Sequence, residues 1–255
     1  MVNLRINSVY KSFGGIKALD GVTLEVSGNP IIGLIGPNGS GKTTLFNVLT
    51  GLYPCDNGEI YFNGKKISGL EPHKISLLGL TRTFQITRIF PKLTVLENMI
   101  TAAKEQEGEN LFSVIFKNKI VADQEFKNKE KAFGILKFLG ILDLRDELGR
   151  NLSGGQLKLL ELGRALMMDP RMLLLDEPVA GVNPTLANKI FDRIIDMKKN
   201  ENISFIIVEH NMDVVMNFCD RIYVMNKGKI VASGNPDEIQ TNEKVIDAYL
   251  GGSSK

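Results

Sequence analysis

Residues 36–43 read Gly36-Pro37-Asn38-Gly39-Ser40-Gly41-Lys42-Thr43, and they stand between an apolar run, Ile31-Ile32-Gly33-Leu34-Ile35, and a helix-like run that begins Thr44-Leu45-Phe46. A chain with this spacing passes from a buried strand through a tight glycine turn into a helix, which commits it to an α/β fold. The glycines let the backbone wrap close enough for successive N–H groups to point at a polyphosphate, and the helix begins with its positive dipole end toward that anion. Lys42 then reaches the outer phosphates of a nucleoside triphosphate, and Thr43 offers its hydroxyl to Mg²⁺.

Composition narrows the class. At 255 residues, 43% hydrophobic and 24% charged, the chain has the make-up of a soluble globular protein of one large domain, with room for an appended subdomain. A net charge of +2 with acids and bases interspersed lacks the clustered Lys/Arg of a nucleic-acid binder, so no nucleic acid is expected as a partner. Cys55 and Cys219 match no metal or redox spacing, and His73 and His210 are the only imidazoles, so a reduced chain without a structural metal is expected. No apolar stretch approaches the roughly 20 residues needed to cross a bilayer, and the start Met1-Val2-Asn3-Leu4-Arg5 lacks the apolar run of a signal peptide. Membrane association is expected only through a partner protein.

Short apolar pieces at Leu4 to Val9, Val22 to Val26 and Ile31 to Ile35 read as strands, and the Gly-punctuated stretch Asp56 to Gly64 as a short hairpin or edge strand. From about residue 86 to 168 the pattern turns helical, with a capping box at Thr94-Val95-Leu96-Glu97 and helical spacing over 131–139 and 155–168. Polar stretches flank the apolar run Leu111 to Phe116, which reads as an amphipathic helix packed on its own subdomain or as a docking face. Two continuous apolar strands follow, Met172 to Leu175 and Ile203 to Val208, with Asn183 as N-cap and Pro184 as first residue of the helix between them. Doubly buried strands joined by a helix indicate a parallel sheet. A second hairpin about Asn226-Lys227-Gly228 and a terminal helix near Glu243 to Leu250 complete the chain.

Ligands of parallel α/β sheets sit outside the carboxyl ends of the strands, so Asp176 and Glu177, which end the strand Met172 to Leu175, point where the glycine loop delivers its phosphates. Asp176 suits the outer sphere of Mg²⁺, and Glu177 suits activation of a water in line with the terminal phosphate. His210, just past the strand Ile203 to Val208, is placed to hydrogen-bond that phosphate or the attacking water. Gln85 offers a neutral amide for Mg²⁺ or water. The segment Leu152-Ser153-Gly154-Gly155-Gln156 opens an apolar helix, with Ser153 as N-cap and two glycines leaving N–H groups free, and so makes a second anion site.

Taken in order, these motifs resemble the nucleotide-binding domain of ATP-binding cassette (ABC) transporters over nearly the whole chain. The resemblance implies a P-loop NTPase fold of the ABC type. Its mixed α/β sheet core with an antiparallel β subdomain would take up about residues 1–85 and 169–255, and its inserted α-helical subdomain about 86–168. By the family pattern residues 36–44 are the Walker A segment, Gln85 the Q-loop, 152–156 the signature, 172–177 the Walker B strand with catalytic Glu177, 179–183 the D-loop and His210 the switch histidine. ATP and Mg²⁺ are the implied ligands, with Thr43, Gln85 and Asp176 toward the metal and Phe13 stacked on adenine, where family members usually have Tyr. In that family the signature of one subunit covers ATP held by the other, so Ser153, Gly154, Gly155 and Gln156 are implied to act in trans. The D-loop departs from Ser-Ala-Leu-Asp: in Ala180-Gly181-Val182-Asn183 a neutral amide replaces the aspartate, which puts a charge-based role there in doubt.

Gly79 to Gln85, Thr94 to Asn98, the long helical insertion and Ala180 to Pro184 are similar to the LivG-type ATPases of branched-chain amino-acid importers, a pattern that urea and amide importers largely share. This subgroup implies a second ABC ATPase (a LivF-like subunit or another copy), transmembrane permease subunits, an extracytoplasmic solute-binding protein acting indirectly, and a place at the cytoplasmic face of the cell membrane. A kinase would share the first loop but has no evident need for the signature segment.

Overall fold

A computed structural model describes residues 2–83, 89–104 and 118–250. The chain forms two compact units. One comprises Met1–Arg82, Arg171–Pro178 and Ile194–Lys255, and the other Thr83–Pro170 and Val179–Arg193.

The first unit holds two sheets. In the antiparallel one, β1 (Val2–Phe13) lies between β2 (Ile16–Gly28) and β4 (Asn57–Phe62), and β5 (Lys65–Lys66) pairs with β4. Val2, Leu4, Ile6 and Val9 of β1 are all buried although the last breaks the alternation. Ser8 explains this: its φ of 45° marks a bulge that shifts the register between Ile6 and Val9 and turns Val9 back to the core. β1 thus runs beyond the predicted Val9 as far as Phe13, and Gly14-Gly15, both at positive φ, close the hairpin into β2.

The second sheet is mixed. β3 (Ile31–Ile35), β6 (Leu80–Arg82), β7 (Met172–Asp176), β8 (Ser204–Val208) and β9 (Arg221–Asn226) are parallel in the order β9-β3-β8-β7-β6, and β10 (Lys229–Gly234) adds an antiparallel edge on β9. Every residue of β3, β7 and β8 is buried, as expected of continuous apolar runs covered on both faces. One apolar core joins Leu4 and Ile6 of β1, Leu45, Phe46 and Leu49 of α1 (Lys42–Leu49), and Ile32, Leu34, Ile206 and Val208 of the parallel strands. Cys219 is buried, which pushes its thiol up to about 12 and leaves it an inert core residue. Four short elements of this unit were not anticipated: α2 (Pro72–Leu77), β6, the helix Met212–Phe218 capped by Asn211, and the helix Pro236–Gln240 capped by Asn235.

In the second unit α3 (Val95–Ile100), α4 (Asn118–Leu139) and α5 (Gly154–Met167) pack on one another. Ala132, Leu136 and Leu139 of α4 are buried at helical spacing, as are Leu159, Leu162 and Leu166 of α5. The Thr94–Glu97 capping box forms as the sequence predicts. The segment Leu111 to Phe116 lies outside the described residues. Fully buried Asn98 fastens the loop before α3: its amide donates to the carbonyls of Phe90, Leu93 and Thr94 and its Oδ1 accepts from the Phe90 N–H at 2.8 Å. Asn98→Leu would strand these groups, and we expect it to destabilise the chain by about 3 kcal/mol, read from denaturant unfolding. A loss under about 1 kcal/mol would show that the loop holds itself.

Helix α6 (Pro184–Asn200) starts at Pro184 as predicted, and Asn183 Oδ1 accepts from the Leu186 N–H at 2.9 Å. This gives Asn183 a physical role as a helix cap, since Asn caps a helix as well as Asp does. Among the described residues no helix is long and apolar enough to cross a membrane.

Candidate functional site

Strands β3, β8 and β7 run parallel side by side, and Leu34, Val208 and Asp176 stand in one row across them. The chain therefore delivers the glycine loop, Glu177 and His210 to one edge of the sheet. The loop enters α1 through Gly41 at φ 107°, with no side-chain cap and no acidic residue in the first turn. Its first N–H groups are left for an anion. Asn38, Gly39 and Thr43 are exposed, Pro37 and Thr44 are partly so, and Ser40 and Lys42 are buried.

The Lys42 ammonium donates to the carbonyls of Gly36 at 2.7 Å and Pro37 at 3.1 Å. Burial holds it below the usual lysine range, while the carboxylates of Glu177 and Asp176 act in the opposite direction. Two of the loop glycines are also required by the protein's own packing. A Cβ on Gly36 would lie 2.0 Å from the Met225 carbonyl oxygen, and one on Gly41 2.5 Å from that of Ala18. The hairpin turn of β9 and β10 also grips the loop, with the Gly228 N–H donating to Ser40 O at 2.9 Å.

Asp176 is 2% exposed, and its Oδ2 accepts from Arg82 Nη2 at 2.6 Å. Glu177 sits at φ 49°, an uncommon left-handed conformation for a residue other than glycine, and its N–H donates to Val208 O at 2.9 Å. Its Oε1 meets Nε2 of His210 at 3.0 Å. The two side chains are 20% and 45% exposed, so the pair faces solvent on one side. The structure thus brings together Lys42, Asp176, Glu177 and His210, while Gln85 lies outside the described residues.

Phe13 is exposed at the hairpin tip, with Tyr53 edge-on at 5.3 Å and the Lys11 ammonium 5.4 Å from its ring centre. Tyr53, just past α1, is an exposed aromatic against Phe13 that no sequence motif marks. Arg82, which ion-pairs with Asp176, carries no sequence motif of its own either.

In the second unit Ser153 caps α5 in a full capping box: Ser153 Oγ accepts from the Gln156 N–H, and Gln156 Oε1 accepts from the Ser153 N–H at 2.8 Å. The box uses the N–H groups of Ser153 and Gln156 and leaves those of Gly154 and Gly155 as the first-turn donors. Gly155 has a packing reason as well, because a Cβ there would meet Leu186 Cδ2 at 1.9 Å.

A glycine loop opening an uncapped helix at the carboxyl edge of a parallel sheet, with an acidic pair ending the strand two places away, defines a P-loop nucleotide-binding cassette. The chain matches the ABC transporter family over residues 19–180 and belongs to that family. Residues 229–254 match the family described as branched-chain amino acid ATP-binding cassette transporter. The chain is 46% identical to the Probable branched-chain amino acid transport ATP-binding protein LivG of Archaeoglobus fulgidus, over 97% of this chain and 95% of that protein. It is 38% identical to the High-affinity branched-chain amino acid transport ATP-binding protein LivG of Salmonella typhimurium, with 97% of each covered. A solved nucleotide-free ATP-binding cassette from an ABC transporter is similar with a TM-score of 0.85 at 42% identity, covering 98% of this chain and 100% of that one. A cassette solved in its ADP conformation gives 0.84 at 41%, covering 98% and 99%.

Proposed function

We propose that this chain is the ATP-hydrolysing subunit of an importer for branched-chain amino acids, driving transport by closing with a second cassette around ATP. The observation that carries the catalytic part is the 3.0 Å contact of Glu177 with His210 at the strand edge that also holds Lys42. The solute class is supported by the LivG relatives and by the match over residues 229–254.

On this reading the backbone of residues 36–44 holds the phosphates and Phe13 lies against adenine. Glu177 takes the proton of the attacking water, and His210 orients Glu177 and donates toward the terminal phosphate. The free N–H groups of Gly154 and Gly155, with Ser153 and Gln156, complete the site of the partner cassette. That partner is a LivF-like subunit or a second copy. The pair works on permease subunits at the cytoplasmic face of the membrane, fed by an extracytoplasmic solute-binding protein.

A hard cation fits the donors present. Mg²⁺ keeps most of its waters and takes substrate phosphates with one or two protein oxygens, and no cluster of three or more His, Cys, Asp or Glu exists among the described residues. Thr43 Oγ1 and Asp176 would hold it, with Gln85 as the further candidate. When bound, it neutralises charge on the phosphates as the terminal bond breaks.

Reconstitution with the permease and capture subunits tests the proposal. Phosphate release coupled to uptake of leucine, isoleucine or valine is expected. Coupling to urea or amides instead would keep the ATPase and overturn the solute class, and phosphate release that no permease stimulates would favour a soluble ABC ATPase.

A further inference from the structure

Arg82 stands at the last position of edge strand β6 with a side chain only 6% exposed, and its guanidinium contacts, among other groups, both α1 and β7. Nη2 donates to Asp176 Oδ2 at 2.6 Å, Nη1 donates to Asn47 Oδ1 at 2.5 Å, and Cζ lies 5.3 Å from the ring centre of Phe46. Asn47 and Phe46 belong to α1, the helix that carries Thr43, whereas Asp176 ends β7. One planar group therefore fixes the distance between the two elements that supply Thr43 and Asp176.

We propose that Arg82 is a positioning residue for the metal-nucleotide complex: it fixes Asp176 against the phosphate-loop helix and leaves Oδ1 for a metal-bound water. This rests on the reading of Thr43 and Asp176 as the metal-side groups. A buried ion pair is by itself a weak source of stability, and an apolar pair of the same volume often serves as well. A rigid fork shared between an asparagine and a carboxylate is instead suited to orientation. Partners that orient metal-side ligands tune metal affinity even though they do not touch the ion.

The test is the affinity for ADP with Mg²⁺ and with a chelator, measured calorimetrically on the full chain for the wild type, Arg82→Met, Arg82→Lys, Asn47→Leu and Asp176→Asn. In Arg82→Met the gain in ADP affinity that Mg²⁺ confers is expected to fall about tenfold, while metal-free affinity stays within about twofold. Arg82→Lys keeps the charge but not the fork and should fall between, and Asn47→Leu should shift the gain in the same direction by less. The Mg²⁺ concentration for half-maximal hydrolysis should rise in Arg82→Met, with kcat recovering at saturating Mg²⁺.

A folded Arg82→Met protein with the wild-type gain would overturn the proposal, as would equal losses with and without metal, which mark general damage to the loop. If Arg82→Met does not fold, the same ratio in Arg82→Lys and Asn47→Leu decides. A wild type that gains nothing from Mg²⁺, or an Asp176→Asn protein that keeps the full gain, overturns the site reading itself.

Discussion

Glu177→Gln is expected to bind ATP as the wild type does while hydrolysing it roughly 10²- to 10⁴-fold more slowly, the usual worth of a general base. That factor corresponds to about 3–5 kcal/mol of barrier. Glutamine retains the length of the side chain and an amide oxygen that can still meet His210 Nε2, so the 3.0 Å contact and the backbone link to Val208 have no reason to break. What disappears is the capacity to accept a proton. Because the ATP-bound pair is then not discharged, the variant should accumulate as a closed dimer on size-exclusion chromatography with ATP and revert with ADP. Phosphate release at the wild-type rate would remove Glu177 from the role of base.

Gly36→Ala is expected to abolish tight nucleotide binding although residue 36 has no side chain to lend to the chemistry. The added Cβ would lie 2.0 Å from the carbonyl oxygen of Met225 and 2.9 Å from Ser40 Oγ, at a φ of 147°. Met225 cannot retreat, because its strand β9 is hydrogen-bonded to β3 on one side and to β10 on the other. Backbone strain of about 1–3 kcal/mol adds to overpacking of about 1–3 kcal/mol, so the native loop is disfavoured by roughly 2–6 kcal/mol. Gly39→Ala is the control: at φ 75° nothing lies within 4 Å of its added Cβ, and only about 1–2 kcal/mol of left-handed backbone strain remains. Thermal unfolding of the two variants should separate clearly, and ADP titration of Gly36→Ala should show the loss of binding. Wild-type affinity in Gly36→Ala would show that the loop yields more than its packing implies.

The parts of this site that could be read from the chain are those whose physics is local. The glycine loop, the doubly buried strands β3, β7 and β8, and the caps Thr94, Ser153 and Asn183 announce themselves through spacing, continuous apolar runs and short polar side chains before a helix. Asp176, Glu177 and His210 were legible because a parallel sheet sends its strand ends to one edge. Arg82 was not, since its value lies in contacts with Asn47 and Asp176 that are far away along the chain. The extension of β1 to Phe13 was hidden because Tyr10, Lys11 and Ser12 carry no apolar alternation beyond the bulge at Ser8. Spacing alone points the loop glycines at a polyphosphate and cannot show that Gly36 and Gly41 are also required by carbonyls of β9 and β2, which are distant along the chain.

The grip of the β9–β10 turn on the loop bears on how the protein comes into being. Synthesis proceeds from the N-terminus, so the residues at 36–43 leave the ribosome long before Met225 and Gly228, which confine Gly36 and hold Ser40. Until that late hairpin emerges, β3 lacks its β9 neighbour and the loop lacks its outer wall. The walls of the loop are thereby completed only after β9 and β10 have emerged, so the order of synthesis places the loop's final packing after the rest of the parallel sheet.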